Sequence, residues 1–353
     1  MQIFESLFDI TYLILVISLG VRLLLEKKAE AKLFGIMAIL LGLGDSFHLI
    51  PRVISHLSPG GFEAHGAGLS WGQFVTSITM TIFYILYYYY YKKQSGDKDR
   101  KKTIAIYVLA IARIALVLMP QNQWGQMPGN YMFGIYRNIP FAIMGALLIY
   151  WSYKERIKPG LKHMDLLIFL SFLFYIPVVL FSESFPMVGA LMMPKTVAYF
   201  LIVVFGFKLF VGEFKLKGIF ALSITFLIMG LVGGVFYREF TKYYAFTANN
   251  HLSKIHVHTI VLGFIGLFML YSFMKGLDAP ALIKIKKPLR IYISGLTFTI
   301  VNMVLLGIYE VVSEGQAIIN RAAVDGISGI GHILLGVGIV WTFIKLYSLD
   351  ETK

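Results

Sequence analysis

Long apolar stretches recur from one end of this 353-residue chain to the other. A helix needs about 18 to 20 such residues to cross the hydrocarbon core of a bilayer, so each stretch reads as a membrane span. Spans are expected near residues 7–25, 33–50, 72–91, 103–119, 137–153, 165–181, 187–211, 218–237, 254–274, 290–311 and 324–346. The fold class that follows is all-α, a polytopic transmembrane helical bundle of about eleven spans, arranged as seven plus four. Composition agrees: 58% of residues are hydrophobic and only 14% are charged, with a mean hydropathy of +0.73. The 33 glycines fit the same reading, because small residues let helices approach closely in lipid. Acidic residues precede the first apolar run, which therefore reads as a span and not as a signal peptide.

The short connections alternate in charge. Lys27, Lys28 and Lys32 follow the first span, and Lys92, Lys93, Lys98, Arg100, Lys101 and Lys102 follow the third. Lys154, Arg156, Lys158 and Lys162 follow the fifth, Lys215 and Lys217 the seventh, and Lys284, Lys286, Lys287 and Arg290 the ninth. Cytoplasmic loops carry the Lys/Arg excess, so the N-terminus is expected outside and the C-terminus inside. This alternation also accounts for the formal charge of +13, and nucleic acid is not expected as a partner. The expected partner is the lipid bilayer itself, in a bacterial cytoplasmic membrane. A quinone or anionic lipid, a homo-oligomer and a larger membrane complex remain open as further partners. The tyrosines at 87–91 read as an interfacial aromatic belt.

Cysteine is absent, which removes disulfides, thiolate catalysis, Fe–S clusters and C-x-x-C-H haem attachment. A cofactor would have to be held by other side chains. The segment GEFKLKG suggests a cytoplasmic joint at 212–217, between a seven-helix domain, 1–211, and a four-helix domain, 218–353.

Ionisable groups at membrane depth are costly and are functional candidates by default. In the four-helix part, His256 and His258 form an H-x-H inside the ninth span, and His332 lies inside the eleventh. Two residues apart on a helix means about 200° around its axis, so His256 and His258 serve opposite faces. Imidazole is an axial ligand for haem iron, and two helices presenting one histidine each could hold a macrocycle between them. Gly326, Gly329, Gly331, Gly336 and Gly338 would leave a smooth surface for it. Arg238, Glu239 and Lys242 either bind haem propionates or quinone oxygens, or are plain interfacial charges. His251, near the water boundary, reads as a structural histidine.

The stretch GLVGGVFYREFTKYYAFTANNHLSKIHVHTIVLGFIGLFMLY, followed by SGIGHILLGVGI, resembles a family of small four-helix bacterial membrane proteins of unassigned function, over roughly residues 218–347. Its H-x-H followed by LG is also similar to a helix of haem–copper oxidase catalytic subunits and of related nitric-oxide-response membrane proteins. In those families the second histidine of the pair and one from another helix bind a low-spin haem. The resemblance implies His258 and His332 as iron ligands for haem b, with His256 on the other side. The oxidase ligand set is incomplete here, so oxygen reduction is not implied. Electron transfer or haem or gas sensing is.

A second cluster lies in the seven-helix part. Asp45, His48 and Arg52 share a helix face, ahead of or at a kink at Pro51. Arg113 lies in the fourth span, Arg137 and Asn138 open the fifth, and Lys195 follows Pro194 in the seventh. The outer loop contributes Gln121, Asn122, Gln123 and Trp124. Arg113 is expected to pair with Asp45 or Glu183. The group is either an ion-pair network that fixes packing or an outward-facing pocket for an anionic or amphipathic ligand. The alternative function is thus a lipid- or quinone-active enzyme or transporter using Asp45, His48, Arg113 and Lys195. An Asp–His acid–base pair or metal site would need further convergent histidines, and His56 and His65 read as loop residues. G-D-x-F-H at 44–48 and Y-R-N-I-P-F at 136–141 are loosely similar to uncharacterised bacterial membrane proteins. A structural subunit of a larger complex is the third possibility.

Overall fold

The computed structural model describes residues 2–211, 216–275, 279–313 and 321–350, and among them regular structure is helical throughout. In chain order the helices are α1 (Gln2–Leu24), α2 (Ala29–Leu57), α3 (Gly61–Ala64), α4 (Gly66–Ser95), α5 (Arg100–Leu118), α6 (Tyr131–Lys154) and α7 (Met164–Phe181). They continue with α8 (Met192–Val211), α9 (Leu216–Tyr243), α10 (Leu252–Val257), α11 (Gly266–Met274), α12 (Ala279–Val312) and α13 (Arg321–Asp350). A π-helical segment, His258–Ile265, joins α10 to α11 in one rod. Among the described residues ten helical segments are long and apolar enough to cross a membrane. The expected span at 103–119 falls on α5, which is set apart by Arg100, Lys101 and Lys102 in its first turn and by Arg113. The chain is a multi-pass helical membrane protein.

Two compact units divide it. An N-terminal unit comprises Tyr12–Arg52 and Phe62–Gly212, and a C-terminal unit comprises Met1–Thr11, Val53–Gly61 and Glu213–Lys353. Of the expected joint at 212–217, residues 212–215 lie outside the described residues, and Leu216 opens α9.

In the N-terminal unit, α4 to α8 pack in sequential pairs. Sharp chain reversals set their ends. Gly96 closes α4 in the left-handed region at φ 75°, where glycine carries no steric cost, and Asp99 caps α5 through the Lys101 N–H. Four of the five tyrosines at 87–91 face the protein interior, and Tyr89 is exposed. Tyr87, Tyr88, Tyr90 and Tyr91 are at most 2% exposed, and each hydroxyl finds a partner. Tyr87 meets Ser152 at 2.8 Å, Tyr88 meets Thr103 at 2.8 Å, Tyr90 donates to the Gly160 carbonyl at 2.6 Å and Tyr91 to Asp97 at 3.4 Å. Buried tyrosine is stable when its hydroxyl is satisfied, so this end of α4 is stapled to the chain around it.

In the C-terminal unit, α9 packs along the α10–π–α11 rod, α12 packs on α10 and the π segment, and α13 lies along α12. Glycine makes the last pairing close. A Cβ at Gly295 would strike the Leu334–Leu335 backbone, one at Gly338 the Tyr292 backbone, and one at Gly331 would come within 2.9 Å of Thr299. One face of α13 is open, with Ile330, Ile333, Val337, Val340 and Ile344 exposed, as suits a face turned to hydrocarbon.

Candidate functional site

His258 and His332 meet in the C-terminal unit. Their ring centroids are 6.1 Å apart and their planes stand at 90°. Each ring is fixed by its own helix: His258 Nδ1 lies 3.0 Å from the Lys254 carbonyl, and His332 Nδ1 lies 3.0 Å from the Ser328 carbonyl. A carbonyl only accepts, so Nδ1 carries the proton in both, and the neutral ring leaves a lone pair on Nε2. Metal-ligating histidines are oriented by this same arrangement. No protein group among the described residues hydrogen-bonds either Nε2.

The backbone is unusual at this point. His258 opens the eight-residue π segment, and π-helical turns inside α-helices concentrate at functional sites. The wider turn is supported from α12, whose Tyr292 hydroxyl donates to the Leu262 carbonyl. His256 does take the opposite face. It sits against α9, where a Cβ on Gly234 would be 3.6 Å from the His256 Cβ, and its Nδ1 is buried without a partner.

The glycines near His332 divide into two sets. Gly331 and Gly338 serve the α12 contact, whereas an added Cβ at Gly326, Gly329 or Gly336 would meet nothing within 4 Å. Spacings of three and four place these open glycines and His332 on one face of α13. Glu239 is exposed and paired with its neighbour Arg238 at 2.7 Å. His251 is tied to Glu310, as befits a structural role.

The N-terminal cluster assembles differently from expectation. Asp45 accepts the Tyr12 hydroxyl at 2.7 Å, and the cation whose field acts on both Asp45 and His48 is Lys195. Lys195 Nζ lies over the Tyr175 ring at 4.9 Å and the Tyr199 ring at 5.5 Å. Among the described residues Arg113 has no carboxylate partner. Its Cζ lies 3.2 Å from the Phe141 ring centre, and Glu183 is exposed at the end of α7. Arg137 donates to Asn122 at 2.7 Å and lies over Trp124 at 4.4 Å. His56 is not in a loop: it falls in the last turn of α2, in the C-terminal unit, 3.4 Å from Glu5. Among the described residues no three or more His, Asp or Glu side chains converge to hold a metal ion. The Asp45–His48 pair therefore lacks the further ligands of a hydrolytic metal site. A haem needs only two axial ligands from the protein.

Sequence reasoning missed two features here. The π segment has no signal in residue type, and the isolation of Arg113 depends on which helices neighbour α5.

No curated protein and no solved structure matches the chain, and the comparisons give no support to the expected likeness to haem–copper oxidases. Residues 216–349, which span α9 to α13 and contain both His258 and His332, match the family DUF2871, described as a protein of unknown function.

Proposed function

We propose that the C-terminal unit binds one haem b through His258 and His332 and carries electrons at the membrane. The observation that carries the reading is the disposition of the two rings. An imidazole bound through Nε2 at about 2 Å places its ring centre roughly 3 Å from the metal, so two axial imidazoles have centroids about 6 Å apart. The separation of 6.1 Å fits. With Nδ1 donating to a backbone carbonyl in both, Nε2 is the nitrogen of each ring left to ligate. The open face of α13 at Gly326, Gly329 and Gly336 offers room for a flat, apolar group beside His332.

Held by His258 and His332, a haem would supply one-electron transfer. The residues of the chain would orient it: the π segment aims His258, Tyr292 braces that segment, and Ser328 fixes the rotation of His332. Exposed apolar side chains such as Ile333 and Val261 would exclude water from the ring edges. Arg238 and Lys242, at the end of α9, are the cations available for propionates.

The alternation of basic loops supports an N-terminus outside, and under that reading the histidine pair would lie in the outer half of a bacterial cytoplasmic membrane. Titration of haem b into the purified full chain tests the reading. A stoichiometry of one per chain is expected, with saturation lost in His332→Ala and kept in His256→Ala. Equal uptake by wild type and His332→Ala would refute it.

A further inference from the structure

Arg113 leads the largest fully buried side chains of the described residues, at 2% exposed, yet its Nε and Nη1 donate to nothing. The groups around it do not neutralise it. They are the neutral rings of Tyr84, Tyr175 and Tyr199 and a second guanidinium, Arg137, with Phe141 stacked beneath. Lys195 lies over two of the same rings, Tyr175 and Tyr199. Asp45, a carboxylate within reach of the Lys195 field, is already held by Tyr12. Arg113, Arg137 and Lys195 thus gather around the same tyrosines, and no described carboxylate forms an ion pair with Arg113. A guanidinium in a low-dielectric interior is held at great cost unless an anion meets it, and its planar fork matches a carboxylate or phosphate.

Hydroxyl donors surround the same spot. Tyr84 lies 3.3 Å from both Tyr199 and Ser171, and Tyr175 donates to Asn138 at 2.9 Å. Two of the residues flanking Arg113, Phe141 and Tyr175, also line an apolar groove of about 110 Å³ between α6 and α7, with Ile139, Phe172 and Val179 along it. The groove and the guanidinium share those two rings, so a ligand with an anionic head and an apolar tail could engage both.

We propose that Arg113 is the anchor of an oxyanion-binding site, taking a carboxylate or phosphate group with help from Lys195 and the surrounding tyrosine hydroxyls. The site is separate from the histidine pair, and the two proposals fail independently. The oxyanion can arrive free or at the head of an apolar chain lying in the α6–α7 groove.

The test uses the purified full chain in zwitterionic detergent, with laurate and inorganic phosphate as probes and the thermal midpoint as readout. A saturable upward shift with either probe is expected, and the apparent affinity should fall at least tenfold in Arg113→Gln. Lys208→Gln, a cation elsewhere on α8, should leave it unchanged. Laurate acting well below the concentration of phosphate assigns the oxyanion to an amphiphile; equal potency assigns it to a free anion. Arg113→Lys keeps the charge but not the fork, and several-fold weaker binding there supports the site even where the glutamine variant does not fold. No saturable response of the wild type to either probe, or the same response in Arg113→Gln and Arg113→Lys as in the wild type, overturns the proposal.

Discussion

Glu310 on α12 holds His251 at two points: Oε2 accepts its backbone N–H at 2.8 Å and Oε1 meets Nδ1 at 2.7 Å. His251 directly precedes α10, so this clamp fixes where the rod bearing His256 and His258 begins. Glu310→Ala removes both bonds and leaves a half-buried N–H and imidazole without their acceptor. Losses of this kind cost about 1–3 kcal/mol. The expected outcome is a lower thermal midpoint of the C-terminal unit, with the haem affinity reduced but not abolished. An unchanged midpoint would show that the clamp has no part in stability.

Asp97, between α4 and α5, gives a pH-dependent contribution outside the spans. Burial works against its charge, but the Lys102 ammonium, the Asp99 backbone N–H and the Tyr91 hydroxyl together outweigh it and hold the carboxyl below its ordinary value of 3.8. A folded-state pKa below the unfolded one stabilises the fold above the unfolded value, and the contribution is lost as pH falls through the folded value. Acid unfolding of the wild type should therefore steepen below the ordinary carboxylate range. Asp97→Asn should already be less stable at neutral pH and should lack that steepening. Parallel pH profiles for the two proteins would count against the assignment.

Two glycines two residues apart, both just C-terminal to His332, separate packing from function. Gly338 meets the Tyr292 backbone, whereas Gly336 faces open space. Gly338→Ala must push α13 from α12, and overpacking of this kind costs about 1–3 kcal/mol or more. Gly336→Leu should leave the fold intact while filling space beside His332, so it should lower haem uptake without lowering the thermal midpoint. Thermal scans and haem titration of the two variants check the contrast; equal effects on stability would contradict it.

Much of this architecture is legible from residue order. Apolar length alone gives the rods, and the counter-facing of His256 and His258 follows from helical pitch. What chain order hides is which rods touch. The tyrosines at 87–91 read as a belt, and chain order does not show that Ser152, Thr103 and Gly160 satisfy hydroxyls among them from elsewhere in the fold. Arg113 invites a carboxylate partner, but Asp45 is taken by Tyr12 and set against Lys195. The glycines near His332 look alike in sequence, yet two of the five serve the α12 seam and three face open space.

The most direct measurement is the absorption spectrum of the purified full-length protein from haem-replete cells. A Soret band that persists in His256→Ala and is lost in both His258→Ala and His332→Ala is the result expected if the ring pair is an axial ligand set. A colourless wild-type protein, or a Soret band that survives the His258→Ala/His332→Ala double variant, would contradict it.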